Sequence, residues 1–157
     1  MVESSALQKY SLFGGLLEEQ IDRIRSLMET EIYAPGEDII SEGSRNDKIR
    51  FVLEGRVAVI KAGLNLFEFG EGDTFGEMEV LDIMPSVATV KTLLPTTVAS
   101  LSNRSLREIY KLDIKAFSLI IMNLARDLSR RLRRMDEWRC QAWAGDGAPE
   151  MCLPGAE

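Results

Sequence analysis

The chain has 157 residues, of which 45% are hydrophobic and 28% charged, and its formal net charge is −6. These values fit one soluble globular domain, and no apolar run is long enough to cross a membrane, so we expect a cytoplasmic protein with no membrane contact. Histidine is absent, and the two cysteines, Cys140 and Cys152, match no zinc spacing. Because the commonest general base and metal ligand is missing, we expect neither an enzyme nor a metal site.

Charge is distributed unevenly along the chain. Residues 1–110 carry a net charge of −7, residues 111–139 carry +4, and residues 140–157 carry −3. Proteins that bind DNA are usually basic over a whole face, so an acidic body with one basic segment argues against DNA as a partner. We interpret the arginines of this segment as the solvated side of an amphipathic helix, the alternative being a site for nucleic acid or an acidic partner. The arginines concerned are Arg126, Arg130, Arg131, Arg133, Arg134 and Arg139.

The apolar pattern changes period near residue 31. Residues 5–29 show helical spacing with a break at Gly14-Gly15, which predicts two short helices. From residue 31 to residue 102, short β-rich runs alternate with turn signals, and we expect about seven strands there. The clearest of them are 49–53, 56–61, 64–69, 87–94 and 97–101. Short strands without interleaved helices predict an α+β domain built on an antiparallel β-roll, a double-stranded β-helix similar to a jelly roll.

Two helices are expected after the strands. Ser102–Ser105 offers N-caps for a short helix that ends near Leu112, and a long helix follows over 113–139. Apolar side chains of the long helix recur at alternating spacings of 3 and 4, with Arg131 at the one polar position of the series, the pattern of a helix that pairs with another helix. They are Phe117, Ile121, Leu124, Leu128, Met135 and Trp138. We therefore expect a homodimer through the 113–139 helix, the alternative being a helix packed only on its own roll.

The C-terminal residues differ in composition from the rest. Glycine and proline become frequent after Trp143, which predicts a flexible tail over 140–157. The expected domain is therefore 1–139, divided into helices over 5–29, the β-roll over 31–102 and helices over 103–139. No sequence remains after residue 143 for a helix-turn-helix, so we expect no DNA-binding domain.

A glycine-rich stretch, Gly70–Leu81, follows one of the strands. Gly70, Gly72 and Gly76 allow tight turns, and a short apolar turn of helix begins at Glu77. A turn that opens a helix leaves backbone N–H groups unpaired, and such groups form a site for an anion, usually a phosphate. The alternative is that these glycines serve turn geometry alone.

Three motifs follow one another in a fixed order: Tyr33–Ile40, Phe51–Val57 and Gly72–Met78. They resemble the first roll hairpin, the Phe-Ile-Leu-x-Gly-x-Val strand pair and the front half of the phosphate-binding cassette of the catabolite activator protein family. The similarity to the cyclic-nucleotide-binding domain of that family extends from about residue 7 to about residue 134. It implies a regulatory, non-enzymatic module whose ligand is a cyclic nucleotide.

The resemblance implies roles for residues 72–89, which we call the cassette. In that family, backbone amides after the glycine and an arginine hold the cyclic phosphate, and the glutamate accepts hydrogen bonds from the ribose 2′-hydroxyl. Gly76, Glu77 and Met78 match the family motif. The candidate ligand-binding residues are Phe75, Gly76, Glu77, Met78, Glu79, Ser86 and Val87.

The back half of the cassette departs from the family pattern, which is Pro-Arg followed by three small residues. Ser86 stands in the place of the arginine, Val87 in the place of its small neighbour, and Glu79 in the place of an alanine. A hydrogen bond to a charged group contributes roughly 1.5–3 kcal/mol, so loss of the arginine is expected to weaken binding roughly ten- to hundred-fold or more. A negative charge at Glu79 would weaken the binding of an anion further.

We therefore expect a regulatory or sensor module with a degenerate cyclic-nucleotide pocket, without a cofactor, that acts through dimerisation or a protein partner. The alternative is a working pocket that binds cyclic AMP weakly, or another nucleotide, with a basic residue such as Lys91 in place of the arginine. Lys91 lies five residues after Ser86 and has the opposite strand parity, so we expect it to face away from the pocket.

Overall fold

The structure is a computed structural model that describes residues 7–145. Its N-terminal part contains two short helical pieces, a 3₁₀ turn over Ser11–Phe13 and helix α1 over Glu18–Ser26. Gly15 has a φ of 78°, a left-handed conformation that glycine adopts without strain, and it turns the chain between the two pieces. The expected helical range of 5–29 is too long at its end, because Glu29 already lies in a strand and pairs with Ser100.

Within residues 7–145, eight strands form two four-stranded antiparallel sheets, which confirms the expected α+β fold built on a β-roll. The strands are β1 (Glu29–Tyr33), β2 (Asp38–Ile40), β3 (Lys48–Glu54), β4 (Val57–Lys61), β5 (Leu64–Phe69), β6 (Thr74–Phe75), β7 (Thr89–Thr92) and β8 (Thr96–Ser102). The first sheet has the order β1-β8-β3-β6, and the second has the order β2-β7-β4-β5.

Two strands differ from the sequence expectation. Strand β6 has only two residues and lies inside the glycine-rich stretch, where it pairs with Arg50 and Phe51 of β3. A two-residue strand is too short to show a period, so the apolar pattern does not reveal it. Strand β7 is shorter than the expected 87–94, because residues 86–88 lie in a loop that bonds to the chain before β3.

Strand β3 is buried on both faces, and the two cores of the domain lie on either side of it. Ile49 and Phe51 face the helices, whereas Val52 faces the interior of the roll. The helical side of the sheet is covered by buried side chains that include Phe13, Ile21, Ile24, Leu106, Ile109 and Ile120. The roll interior contains Val57, Val59, Phe69, Phe75, Val90 and Val98. Burial on both faces explains why β3 is an almost continuous apolar run.

Helix α2 covers Glu77–Asp82, helix α3 covers Asn103–Leu112 and helix α4 covers Ile114–Gly145. Ser102 caps α3, since its side-chain oxygen accepts a hydrogen bond of 3.1 Å from the backbone N–H of Ser105. The chain divides after Leu124 into two compact units. In the first unit, α4 packs Ala116, Ile120 and Leu124 into the helical core.

The second unit contains the remainder of α4. Leu132, Met135 and Trp138 are 60%, 48% and 57% exposed there. The helix continues to Gly145, so the expected tail over 140–157 begins too early, because residues 140–144 contain no helix breaker. Residues 146–157 lie outside the described residues. Between residues 7 and 145, no helix combines the length and the apolar content that a bilayer crossing requires.

The turn between β3 and β4 gives a test of the roll. Gly55 has a φ of 99°, and a Cβ there would lie 2.4 Å from the backbone oxygen of Pro95. We expect Gly55→Ala to lower the free energy of unfolding by about 2 kcal/mol or more, since it adds overlap to left-handed strain. Gly63 has a φ of 77° and nothing within 4 Å of the added carbon, so Gly63→Ala is the matched control for strain alone. Urea denaturation compares the two, and equal losses would contradict the packing described here.

Candidate functional site

The cassette begins where β6 ends. Gly76 has a φ of 77° and is the N-cap residue of α2, a helix of six residues. A Cβ at this position would lie 2.7 Å from the backbone oxygen of Lys48 and 2.9 Å from Nδ2 of Asn46. Both the backbone angle and the close packing therefore require glycine at position 76.

The front half of the cassette carries the side chains that the family motif predicts, in three different environments. Phe75 is 1% exposed and stacks on Phe69 in the roll core, with 6.2 Å between the ring centroids. Glu77 is 2% exposed, whereas Met78 is 49% exposed. Glu79 is half-buried, and its Oε2 atom is buried without a hydrogen-bond partner. The front half therefore places two acidic side chains at the start of α2, and at least one carboxylate oxygen there is withdrawn from solvent.

The back half of the cassette places Ser86 where an arginine is expected. Ser86 is 5% exposed, and its hydroxyl donates a hydrogen bond of 2.8 Å to the backbone oxygen of Ala88. Its N–H donates to the backbone oxygen of Ser44 at 2.8 Å, and its C=O accepts from the N–H of Gly43 at 2.7 Å. Ser86 is thus held on three sides, and its hydroxyl is committed to the backbone. Its neighbour Val87 is 53% exposed.

Basic groups in the sequence do not replace the missing arginine within the cassette. Residues 72–89 contain four acidic side chains and no lysine or arginine. Lys91 alternates with the buried Val90 along β7, is 40% exposed and lies 3.3 Å from Asp38, so it faces away from the roll interior as its parity predicts. The cassette itself therefore offers carboxylates and backbone amides to a ligand.

A buried polar cluster lies on the roll-facing side of the first sheet, and the apolar pattern did not reveal it. Arg50 is 8% exposed, and its Nε donates to Glu31 at 3.1 Å. Glu31 also accepts from Nζ of Lys48 at 3.0 Å, from Oγ of Ser100 at 2.7 Å and from the hydroxyl of Tyr33. The signal in the sequence is the alternation of charges, Glu29 and Glu31 on β1 and Lys48 and Arg50 on β3, which puts all four on one face.

Two opposing effects act on the pKa of the Glu31 carboxyl in this cluster. Burial raises the pKa of the Glu31 carboxyl, but hydrogen bonds from Tyr33, Ser100 and Lys48 and the charge of Arg50 lower it more, to about 2. The guanidinium of Arg50 thus has an ionised carboxylate as its partner at neutral pH. A bound phosphate would have to compete with Glu31 for that charge.

Among residues 7–145, no group of three or more His, Cys, Asp or Glu side chains is placed so that it could hold a metal ion.

The comparisons with known proteins agree with the fold. Residues 30–113 match the family model described as the cyclic nucleotide-binding domain. A cyclic AMP receptor protein from Thermus thermophilus is 32% identical over 130 residues, which cover 80% of this chain and 58% of that protein. A cyclic nucleotide-binding domain from Methylobacillus flagellatus superposes with a TM-score of 0.81 at 25% identity, over 96% of this chain and 85% of that one. The chain belongs to the cyclic nucleotide-binding domain family.

A further relative bears on the cassette. It is the regulatory subunit of a cAMP-independent protein kinase A from Trypanosoma brucei, with a TM-score of 0.67 at 25% identity over 77% of this chain and 44% of that one. Its structure is that of a mutant bound to cyclic AMP in the A site, in which a glutamate, a threonine and a valine are replaced by alanine, arginine and alanine. The threonine and valine follow the glutamate by seven and eight residues. Glu79, Ser86 and Val87 have the same spacing here.

The polar cluster gives a test by pH. The pKa of Glu31 falls from an ordinary 4.5 to about 2 on folding, so its contribution to stability is complete above pH 4.5 and is lost as the pH falls toward 2. We expect Glu31→Gln to lower the free energy of unfolding at pH 7 by about 1–3 kcal/mol, through the loss of charge-assisted hydrogen bonds. The difference from wild type should shrink between pH 4.5 and 2.

The matched control is Glu68→Gln, which removes a carboxylate whose ion pair with Arg56 is solvent-exposed. Its effect on the free energy of unfolding should be below about 1 kcal/mol at both ends of the pH range. If the difference in the free energy of unfolding between wild type and Glu31→Gln were constant from pH 7 to pH 2, the role given to the ionised carboxylate would be contradicted.

Proposed function

We propose that the chain is a non-enzymatic regulatory module of the cyclic nucleotide-binding family whose cassette does not hold a cyclic phosphate at ordinary affinity. The observation that carries the proposal is Ser86, which stands in the place of the arginine and directs its hydroxyl to Ala88. A cytoplasmic location and a protein partner that receives the signal complete the proposal.

The charges of the cassette support this function. A planar guanidinium can pair with two phosphate oxygens at once, whereas a buried serine hydroxyl already bonded to a carbonyl offers neither charge nor a free donor. Glu79 adds a carboxylate on the same short helix, and bringing an anion close to it costs free energy. Backbone amides at the start of α2 would have to bind the phosphate without a side-chain cation.

The trypanosomal kinase subunit gives independent support. Its wild-type form is named cAMP-independent, and the three substitutions in its mutant bound to cyclic AMP include the introduction of an arginine. If the three positions correspond, this chain carries the glutamate and valine that were replaced there, and a serine instead of the threonine. We propose that the same three positions decide cyclic nucleotide affinity in both chains.

A gain-of-function experiment tests the proposal. The triple variant Glu79→Ala, Ser86→Arg, Val87→Ala should bind cyclic AMP with a dissociation constant at least about 100-fold lower than the native chain, the expected gain from a charge-assisted phosphate contact and the loss of one repulsive charge. Calorimetry measures both constants. The matched control is Glu79→Ala, Val87→Ala, which lacks the arginine. Equal affinity of the double and triple variants would contradict the role of position 86.

A second candidate function is a working pocket with weak or altered specificity, and the intact Gly76-Glu77-Met78 motif favours it. In this case Glu77 would accept hydrogen bonds from ligand hydroxyls. Glu77→Ala should then abolish whatever nucleotide binding the native chain shows. Unchanged binding in this variant would exclude the candidate.

We also propose that the module is a homodimer through helix α4. Support comes from Leu132, Met135 and Trp138, three large apolar side chains about half exposed along the part of α4 after Leu124. Single exposed apolar residues are ordinary, but a stripe of them on one helix marks a contact surface.

Sedimentation experiments test the dimer. Met135→Glu together with Trp138→Glu should raise the monomer–dimer dissociation constant by on the order of 100-fold, since each substitution puts a charge into an apolar contact. Arg133→Glu together with Arg134→Glu is the matched control, because it changes charge on the same helix at positions outside the apolar stripe. A monomeric native chain, or equal weakening by both pairs, would contradict the proposed interface.

A further inference from the structure

We infer that Asn46 is a positioning residue for the cassette: its side-chain amide fixes Gly76, and with it the start of α2, through a network that Arg50 and Glu31 hold in place. The effect of Asn46 on the order of Gly76 and the start of α2 is independent of any ligand. Only the effect of Asn46 on the affinity for a ligand rests on the proposed function.

Asn46 uses every hydrogen-bonding position of its amide. Nδ2 donates to the backbone oxygen of Gly76 at 3.0 Å and to that of Lys48 at 2.8 Å. Oδ1 accepts from the backbone N–H of Lys48 at 3.3 Å and from Nη1 of Arg50 at 2.8 Å. An amide has two N–H donors and an oxygen with two lone pairs, so this set is complete. One side chain thereby joins the start of β3 to the start of the cassette.

Gly76 is where this contact has most effect. Its backbone oxygen accepts the 3.0 Å hydrogen bond from Asn46, and a Cβ added at this position would lie only 2.9 Å from Nδ2. Its left-handed φ of 77° sets the direction in which Glu77 and Met78 enter α2. The orientation of the Glu77 and Met78 amides therefore depends on how firmly Gly76 is held. The family resemblance implies that these amides are among those that hold a phosphate.

The anchor of Asn46 is charged and buried. Arg50 donates Nη1 to Asn46 and Nε to Glu31, so its guanidinium connects the amide to a carboxylate. Hydrogen bonds from a charged donor are shorter and roughly twice as strong as neutral ones, and Arg cannot lose its proton near neutral pH. Glu31 is faced by Tyr33 from its own strand, by Lys48 and Arg50 from β3 and by Ser100 from β8. Arg50 and Glu31 therefore hold the Asn46 side chain firmly at the end opposite to Gly76.

Two substitutions at position 46 separate positioning from bracing. Asn46→Asp keeps an acceptor for Arg50 and for the N–H of Lys48 but removes both donated bonds, including the one to Gly76. Asn46→Ala removes donors and acceptor together. The aspartate variant keeps two of the three hydrogen bonds that Asn46 makes to β3 but loses its single bond to the cassette, so the cassette should be affected more than β3 if Asn46 positions Gly76.

The measurement is ¹⁵N relaxation of Gly76, Glu77 and Met78 in the otherwise native chain, with thermal unfolding alongside. Asn46→Asp should lower the order parameters of these three residues from the rigid value of about 0.85 toward about 0.6, while β3 and β8 stay rigid. Asn65→Asp is the matched control, since Asn65 donates a solvent-exposed hydrogen bond to Glu68 within the same strand, β5. Wild-type order at residues 76–78 in the Asn46→Asp variant would overturn the inference.

The affinity arm uses the triple variant with an arginine at position 86 as the background. Adding Asn46→Asp there should raise the dissociation constant for cyclic AMP by about tenfold, and adding Asn65→Asp should leave it unchanged. An unchanged constant for Asn46→Asp would limit the role of Asn46 to order in the free chain and overturn the claim on affinity. If the triple variant itself fails to bind cyclic AMP, the role proposed for positions 79, 86 and 87 fails, and the relaxation experiment still decides the role of Asn46.

Discussion

The burial of strand β3 on both faces is the constraint on which the rest of the domain depends. Ile49 and Phe51 join the sheet to the helices, and Val52 fills the roll on the opposite face. The edges of the same strand pair with β8 and β6, and β6 leads directly into the cassette. A strand with four neighbours cannot shift its register without exposing one core or the other, so the start of the cassette is fixed relative to the roll.

We propose that charge decides what this cassette can bind. Its geometry has the features of a phosphate site, namely a left-handed glycine, a short helix and a loop that returns to the roll. Its side chains do not supply the charge, because Ser86 is bonded to the backbone and Glu79 adds a carboxylate. The nearest buried guanidinium that we identify in the roll, Arg50, already has Glu31 as its partner. The backbone geometry of the cassette thus matches the family. The charges of its side chains argue against a cyclic nucleotide as the ligand.

The sequence predicts those parts of the fold that repeat a period or a motif. Strand β5 was expected over 64–69, which is its observed range, and the ends of β3 and β4 were each expected within one residue of their observed positions, because alternation and flanking glycines mark these ends. The family motif located Gly76 and Ser86. Strand β6 was not predicted, since two residues carry no period and its pairing with β3 is a long-range contact.

The polar cluster shows a different limit of sequence reasoning. Glu31 and Arg50 lie 19 residues apart, and only the register of β1, β8 and β3 brings them together. Asn46 looked like part of a polar loop, yet its amide connects two segments that are 30 residues apart. Hydrogen bonds of this kind depend on side-chain geometry that no spacing rule encodes. The end of helix α4 was expected at residue 139, but the helix continues to Gly145. The composition becomes rich in glycine and proline only after Trp143, so it gave no reason to end the helix at residue 139.

Titration of the native chain with cyclic AMP, followed by the backbone amide signals of Gly76, Glu77 and Glu79, tests the central claim most directly. The account predicts that these signals move little, and that any movement saturates only above about 100 µM, because the cassette contributes no lysine or arginine to hold the phosphate. Saturation at or below about 1 µM, with the largest shifts at the start of α2, would contradict it.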